Sequence, residues 1–124
     1  MGWKEVLKDT TVASALAKRS QALVLVQTSV TRLQNVSSDT VLTLKQLKRY
    51  QEDWDTKVAK LQDTNAKFTV AILSLDPELI ACSELIFETG KVKKVIESGF
   101  DAIDHLFEQS DIKSELDAGR ISDA

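Results

Sequence analysis

"VTRLQNVSSDTVLTLKQL", residues 30–47, is the stretch whose reading decides the fold. Its middle, Asn35 to Thr40, is polar and resembles a loop. The apolar spacing before it nevertheless stays in phase with the spacing after it. A turn here makes the chain a compact helical protein, and continuity makes it a rod.

The phase extends far beyond these residues. Steps of four and three from Val12 run through Leu16, Arg19, Leu23, Val26, Val30, Leu33, Ser37, Thr40, Leu44, Leu47, Gln51, Trp54, Val58, Leu61, Asn65, Phe68 and Ile72 to Leu75. Fourteen of these nineteen positions are apolar. Such a heptad seam places one stripe along a helix, and the stripe is stable only against another helix. An unbroken helix from 12 to 75 would be about 95 Å long at 1.5 Å per residue. A chain of this size cannot cover such a rod by itself. Continuity would also put Ser37 and Thr40 on successive core layers, with Asn35, Ser38 and Asp39 beside them, all weak helix formers. The reading adopted is therefore a turn at 35–39, with Ser38 or Asp39 capping a helix that begins at Thr40.

Composition agrees with helices. The 124 residues are 43% hydrophobic and 28% charged, an ordinary globular balance, and only 4 Gly and 1 Pro leave little material for the tight turns of a sandwich or barrel. The single cysteine, Cys82, forms no intrachain disulfide. "MGWKEVLKDT" carries charge where the apolar core of a signal peptide would begin, and "ALVLV" at 22–26 is far shorter than a membrane span. The expected location is cytoplasmic.

Charge is unevenly distributed. Residues 1–36 carry five basic and two acidic groups, whereas residues 76–109 carry three and eight. Attraction between the two segments is weak and screened by salt, but it suggests which helices are neighbours. The acidic segment opens at "SLDPEL", residues 74–79, where Asp76 suits an N-cap, Pro77 the first helical position and Glu78 the first turn. The helix expected from Pro77 carries Leu79, Cys82, Leu85, Ile86, Val92, Val95, Ile96, Phe100, Ile103, Leu106 and Phe107, a stripe broad enough for two neighbours. Gly90 and Gly99 weaken it, so each marks a close helix contact or, at "ETGK", a break.

The expected fold is all-α: an antiparallel three-helix bundle, or helical hairpin, with coiled-coil heptad packing. Residues 1–110 form a single helical domain with helices at about 10–35, 40–75 and 77–109. Residues 111–124 form a polar C-terminal tail.

Little in the chain suggests catalysis. His105 is the only histidine, so a two-histidine zinc site is impossible, and Ala102 stands where a Glu-x-x-His di-iron ligand pair needs its glutamate. Histidine phosphotransfer through His105 is a minor alternative, since such bundles have this size. "ETGKVKK" lacks the earlier glycine of a phosphate-binding loop. No enzyme, cofactor or metal site is expected. "LKQLKRYQEDW" at 44–54 joins basic and aromatic residues, but acids follow at once and the chain is acidic overall, so nucleic acid is not an expected partner.

What remains is protein–protein interaction: an adaptor, scaffold or assembly subunit whose partner is another protein or a second copy of the chain, engaged through helices. Three groups of residues are candidates. Arg19, Gln51 and Asn65 interrupt the seam with polar groups that select register and partner. Glu97, Asp101, Asp104 and Glu108 share one helix face at four-three-four spacing and suit a basic surface. Trp3, Val6 and Leu7 form an apolar patch between Lys4 and Lys8, suited to capping the helices, docking a partner or touching a membrane surface. Membrane contact led by Trp3 is the alternative function.

Overall fold

The computed structural model describes residues 2–36 and 42–117, with side chains described as far as Gln109. The described residues are helical, with no strand among them. A short α1 (Trp3–Val6) precedes α2 (Thr10–Gln34) and α3 (Leu44–Leu75), after which a 3₁₀ turn (Pro77–Ala81) leads into α4 (Ser83–Asp117).

The starts of α2, α3 and the 3₁₀ turn each have a chemical signal, whereas α1 begins after Gly2 without a side-chain cap. Asp9 caps α2, its carboxylate accepting from the backbone N–H groups of Thr11 at 2.9 Å and Val12 at 3.2 Å. Such a cap satisfies donors that otherwise have no partner in the first turn. Helix α2 ends at Gln34, where the N–H of Asn35 bonds back to Thr31 at 3.0 Å and that of Val36 to Leu33 at 3.4 Å. The rod is thereby excluded. The expected cap at Ser38 or Asp39 and start at Thr40 lie outside the described residues, and the helix that is described begins later, at Leu44. There Thr43 and Gln46 form a reciprocal capping box: the Gln46 N–H donates to Thr43 Oγ1 at 3.2 Å, and the Thr43 N–H donates to Gln46 Oε1 at 2.9 Å.

The third expected helix differs from the structure at both ends. Asp76 does cap, accepting from Glu78 N–H at 3.1 Å, but the segment from Pro77 is a 3₁₀ turn that ends at Cys82 in an extended conformation. Helix α4 restarts at Ser83, with the Leu85 N–H pointing to Cys82 Sγ at 3.4 Å. It then runs unbroken through "ETGK" to Asp117, beyond the expected end at 109.

Helices α2, α3 and α4 each contact the other two. Lys57 on α3 reaches Ser29 on α2 at 2.9 Å, while Ile72 shares a buried cluster with Val12, so α3 runs back along α2. Two apolar clusters result. One joins Val6, Val12, Phe68, Ile72, Leu79 and Leu85, and the other runs from Ala22 through Trp54 and Leu61 to Leu106. Trp54 is 1% exposed and packs edge-on against Phe100, with ring centroids 5.9 Å apart. Its space exists because residue 99 is glycine: a Cβ at Gly99 would lie 1.8 Å from Trp54 Cη2. Gly90 has open space around it instead, so only Gly99 marks a close helix contact.

Candidate interaction surface

The polar seam residues divide into three different situations. Arg19 is internal, 3% exposed, and on α2 it falls between the Val12 and Ala22 layers. Its guanidinium bridges to the Glu88 carboxylate through Nη2, donates from Nη1 to the Glu88 carbonyl at 3.3 Å, and lies 5.1 Å from the centroid of the Phe68 ring. Lys91 adds a second bridge to Glu88 at 3.3 Å. Burial raises the Glu88 carboxyl pKa and is the largest single influence on it. The hydrogen bond and charge of Arg19, with those of Lys91, more than offset this, and the net shift is downward. Gln51 lies exposed on α3. Asn65 is half-buried, and its Oδ1 has no donor among the described residues.

The N-terminal candidates are turned inward. Val6 is fully buried, Trp3 and Leu7 are half-buried, and Trp3 packs edge-on against Phe68 with centroids 6.3 Å apart. The patch lies against the Phe68–Ile72 end of the helices. Glu97, Asp101, Asp104 and Glu108 are all exposed on α4, and no other element brings a basic group onto them among the described ion pairs. His105 is exposed beside them, with its Nε2 3.0 Å from the Gln109 side-chain nitrogen. Among the described residues no three histidine, cysteine or carboxylate side chains converge as metal ligands, and no helix is long and apolar enough to cross a membrane.

A surface that the seam does not reveal lies between α2 and α3. One cleft of about 340 Å³ is lined by Ser29, Arg32 and Leu33 from α2 and by Gln46, Arg49, Tyr50, Asp53 and Trp54 from α3. A second, of about 420 Å³, is lined by Thr10, Thr11, Ser14, Ala15 and Lys18 with Thr64, Lys67 and Ala71. Residues about 18 apart lie five full turns apart on a helix and so share a face. Ser14 and Arg32, Ala15 and Leu33, Gln46 and Thr64, and Arg49 and Lys67 are all related in this way. The two clefts therefore lie along one face of the pair as an interrupted groove, with the Lys57–Ser29 hydrogen bond crossing it beside the first cleft. Arg19, on the other flank of α2, turns to α4, so this groove opens on the side that α4 does not cover.

The signal for the groove was present in the sequence. Thr11, Lys18, Leu25 and Arg32 each precede a seam residue and follow one another at intervals of seven. Gln46, Asp53, Lys60 and Lys67 do the same on α3. A reading confined to the seam passes over both rows. Glu88 was missed for another reason: nothing local distinguishes it from the other acids of its segment.

These features define an all-α protein of long, mutually packed helices, with clefts along α2–α3 and a further cleft of about 500 Å³ between the end of α2 and α4, lined among others by Leu33, Asp101, Ala102, His105 and Leu106. Comparison with known proteins finds no matching family model, no similar curated protein and no similar solved structure.

Proposed function

We propose that the chain is a non-catalytic interaction or assembly subunit, an antiparallel three-helix bundle that packs in coiled-coil fashion and binds protein helices. The observation that carries this reading is the open side of the α2–α3 pair. Two helices with a shared apolar interface have two flanking grooves; here α4 packs against one, and among the described residues the clefts on the other are lined by α2 and α3 alone. Helix pairs bury such grooves against further helices, the usual arrangement in four-helix proteins. Leu25, 47% exposed, falls on the same seven-residue row of α2 as Thr11, Lys18 and Arg32, which line the two clefts, and Val24, Val70 and Phe87 add further exposed apolar surface.

Native size is the test. The chain detected in gentle extracts of its source cells should migrate in a complex larger than the purified protein, and in-cell cross-linking should join it to protein. Migration at the size of the purified chain, with no cross-linked partner, would contradict an assembly role.

A further inference from the structure

The geometry points to an acidic amphipathic helix of about 20 residues, belonging to another protein, as the occupant of the α2–α3 groove. This inference rests on the interaction reading and specifies its surface and the chemistry of its partner.

Length comes first. From Thr11 to Arg32 the groove follows α2 for 21 residues, about 32 Å of helix rise. A helix of similar length fits it end to end. The floor comes next. Ala15 and Ala71 line one cleft and the buried Leu33 and Trp54 the other, and Leu25, on the same α2 row as Thr11, Lys18 and Arg32, stands exposed between them. A partner helix with apolar residues at three- and four-residue spacing covers these groups as an anchor row, the usual way a helix seats in a groove.

The rims fix the sign of the partner. Lys18 and Arg32 flank Leu25 on α2, Arg49 and Lys67 line the clefts from α3, and the exposed Lys60 falls on the same α3 row as Asp53 and Lys67. Among the described residues Lys18, Arg32, Arg49 and Lys60 form no ion pair, whereas Lys67 is paired with Asp63 at 3.0 Å. The groove's carboxylate, Asp53, is engaged by Lys57 at 2.9 Å. A basic channel in a chain of net charge −3 favours acidic flanks on whatever lies there.

A second copy of the chain fits less well. Twofold pairing through the groove sets one basic rim against the other. The acidic face of α4 carries Glu97, Asp101, Asp104 and Glu108 along the crest of its ridge, so seating it in the groove would bury charge against Leu25 rather than place it at the rims. Nucleic acid would meet the lysines but would gain nothing from the apolar floor.

The test is selection from a displayed library of helical peptides of this length, with a fixed heptad apolar row and randomised flanks, against the full chain. Recovered peptides should be enriched in Asp and Glu at the flanks, and their affinity should fall as salt rises. Leu25→Glu, with helicity unchanged by circular dichroism, should weaken them at least about tenfold, equivalent to ~1.4 kcal/mol. Lys60→Glu should weaken them less, and Lys93→Glu on α4 should leave them unchanged. Recovery of neutral or basic flanks, no enrichment at all, or equal binding to Leu25→Glu overturns the proposal. So does a labelled DNA duplex that binds the chain and is lost with Lys60→Glu, or concentration-dependent dimerisation abolished by Leu25→Glu. If the library fails while the native complex persists, the groove assignment falls and the interaction reading survives.

Discussion

The two flanks of the α2–α3 pair differ in what covers them. On the α4 side the helices meet through shape and charge that only this chain supplies: the Trp54 ring lies against Gly99, and the Arg19 guanidinium against Glu88. On the other side the same two helices line one cleft with small residues such as Thr11, Ser14 and Ala15, the other with Arg32, Arg49 and Tyr50, and leave Leu25 exposed. Both flanks derive from one heptad pattern, yet one is built for stability and the other leaves surface unburied. Periodicity alone therefore states that a helix has partners. It does not state how many of those partners the chain contains.

The covered flank should be sensitive to substitution, beginning with its largest side chain. Trp54→Ala removes a fully buried aromatic and should cost ~3–5 kcal/mol in urea unfolding. A loss under about 1 kcal/mol would mean that the ring is not part of the core. Gly99→Ala comes next. Alanine favours helix by ~1 kcal/mol, but its methyl would overlap the indole, and overpacking of this kind costs about 1–3 kcal/mol net. Gly90→Ala, in the same helix but facing open space, should instead stabilise by up to ~1 kcal/mol. Equal effects at the two glycines would remove the distinction between them.

The charged layer should respond differently to its two halves. Glu88→Ala leaves Arg19 buried without its carboxylate and should cost roughly 1–3 kcal/mol, less than a fully buried pair because Glu88 keeps some solvent exposure. Arg19→Met leaves the Glu88 carboxylate with Lys91 and some solvent exposure, so it should cost less than Glu88→Ala, at most about 1 kcal/mol. The same layer sets a pH dependence. The folded Glu88 carboxyl titrates below its unfolded value, so its contribution is complete above the unfolded pKa and disappears as pH falls through the folded one. The unfolding midpoint of the wild type should therefore drop more steeply below about pH 4.5, the ordinary glutamate value, than that of Arg19→Met/Glu88→Gln. Parallel pH profiles would show that the pair contributes nothing to acid sensitivity.

Much of the architecture was legible in the residues. The end of α2 at Gln34, the burial of Val26, Leu33, Leu47, Trp54 and Leu61, and the cap at Asp76 all follow from local chemistry. The start of α3 at Leu44 has a local signal in the capping-box spacing of Thr43 and Gln46, whereas the expected caps at Ser38 and Asp39 lie outside the described residues. The 3₁₀ turn at Pro77 and the restart at Cys82 were not legible, because the same Asp-Pro-Glu signature opens either kind of helix. The surface was harder still. Arg19 looks like an exposed specificity residue until Glu88, 69 positions away, is brought beside it. Trp3, Val6 and Leu7 resemble a docking patch until Phe68 and Ile72 are placed beneath them. Long-range contact decides burial, and burial separates core residues from binding residues of the same type.

The neighbours Leu25 and Val26 test the division between flanks most directly, because they sit side by side on α2 and face its two sides. Val26 is fully buried, whereas Leu25 is 47% exposed. Glutamate at each position, compared by urea unfolding of the purified chain, separates the flanks in one experiment. Val26→Glu should lose several kcal/mol, as an unpaired charge in the core does, at least ~3 kcal/mol. Leu25→Glu should stay within about 0.5 kcal/mol of the wild type, as substitutions on free surface do. A loss at Leu25 comparable to that at Val26 would mean that the α2–α3 groove is already filled in the isolated protein, and the open side would not exist.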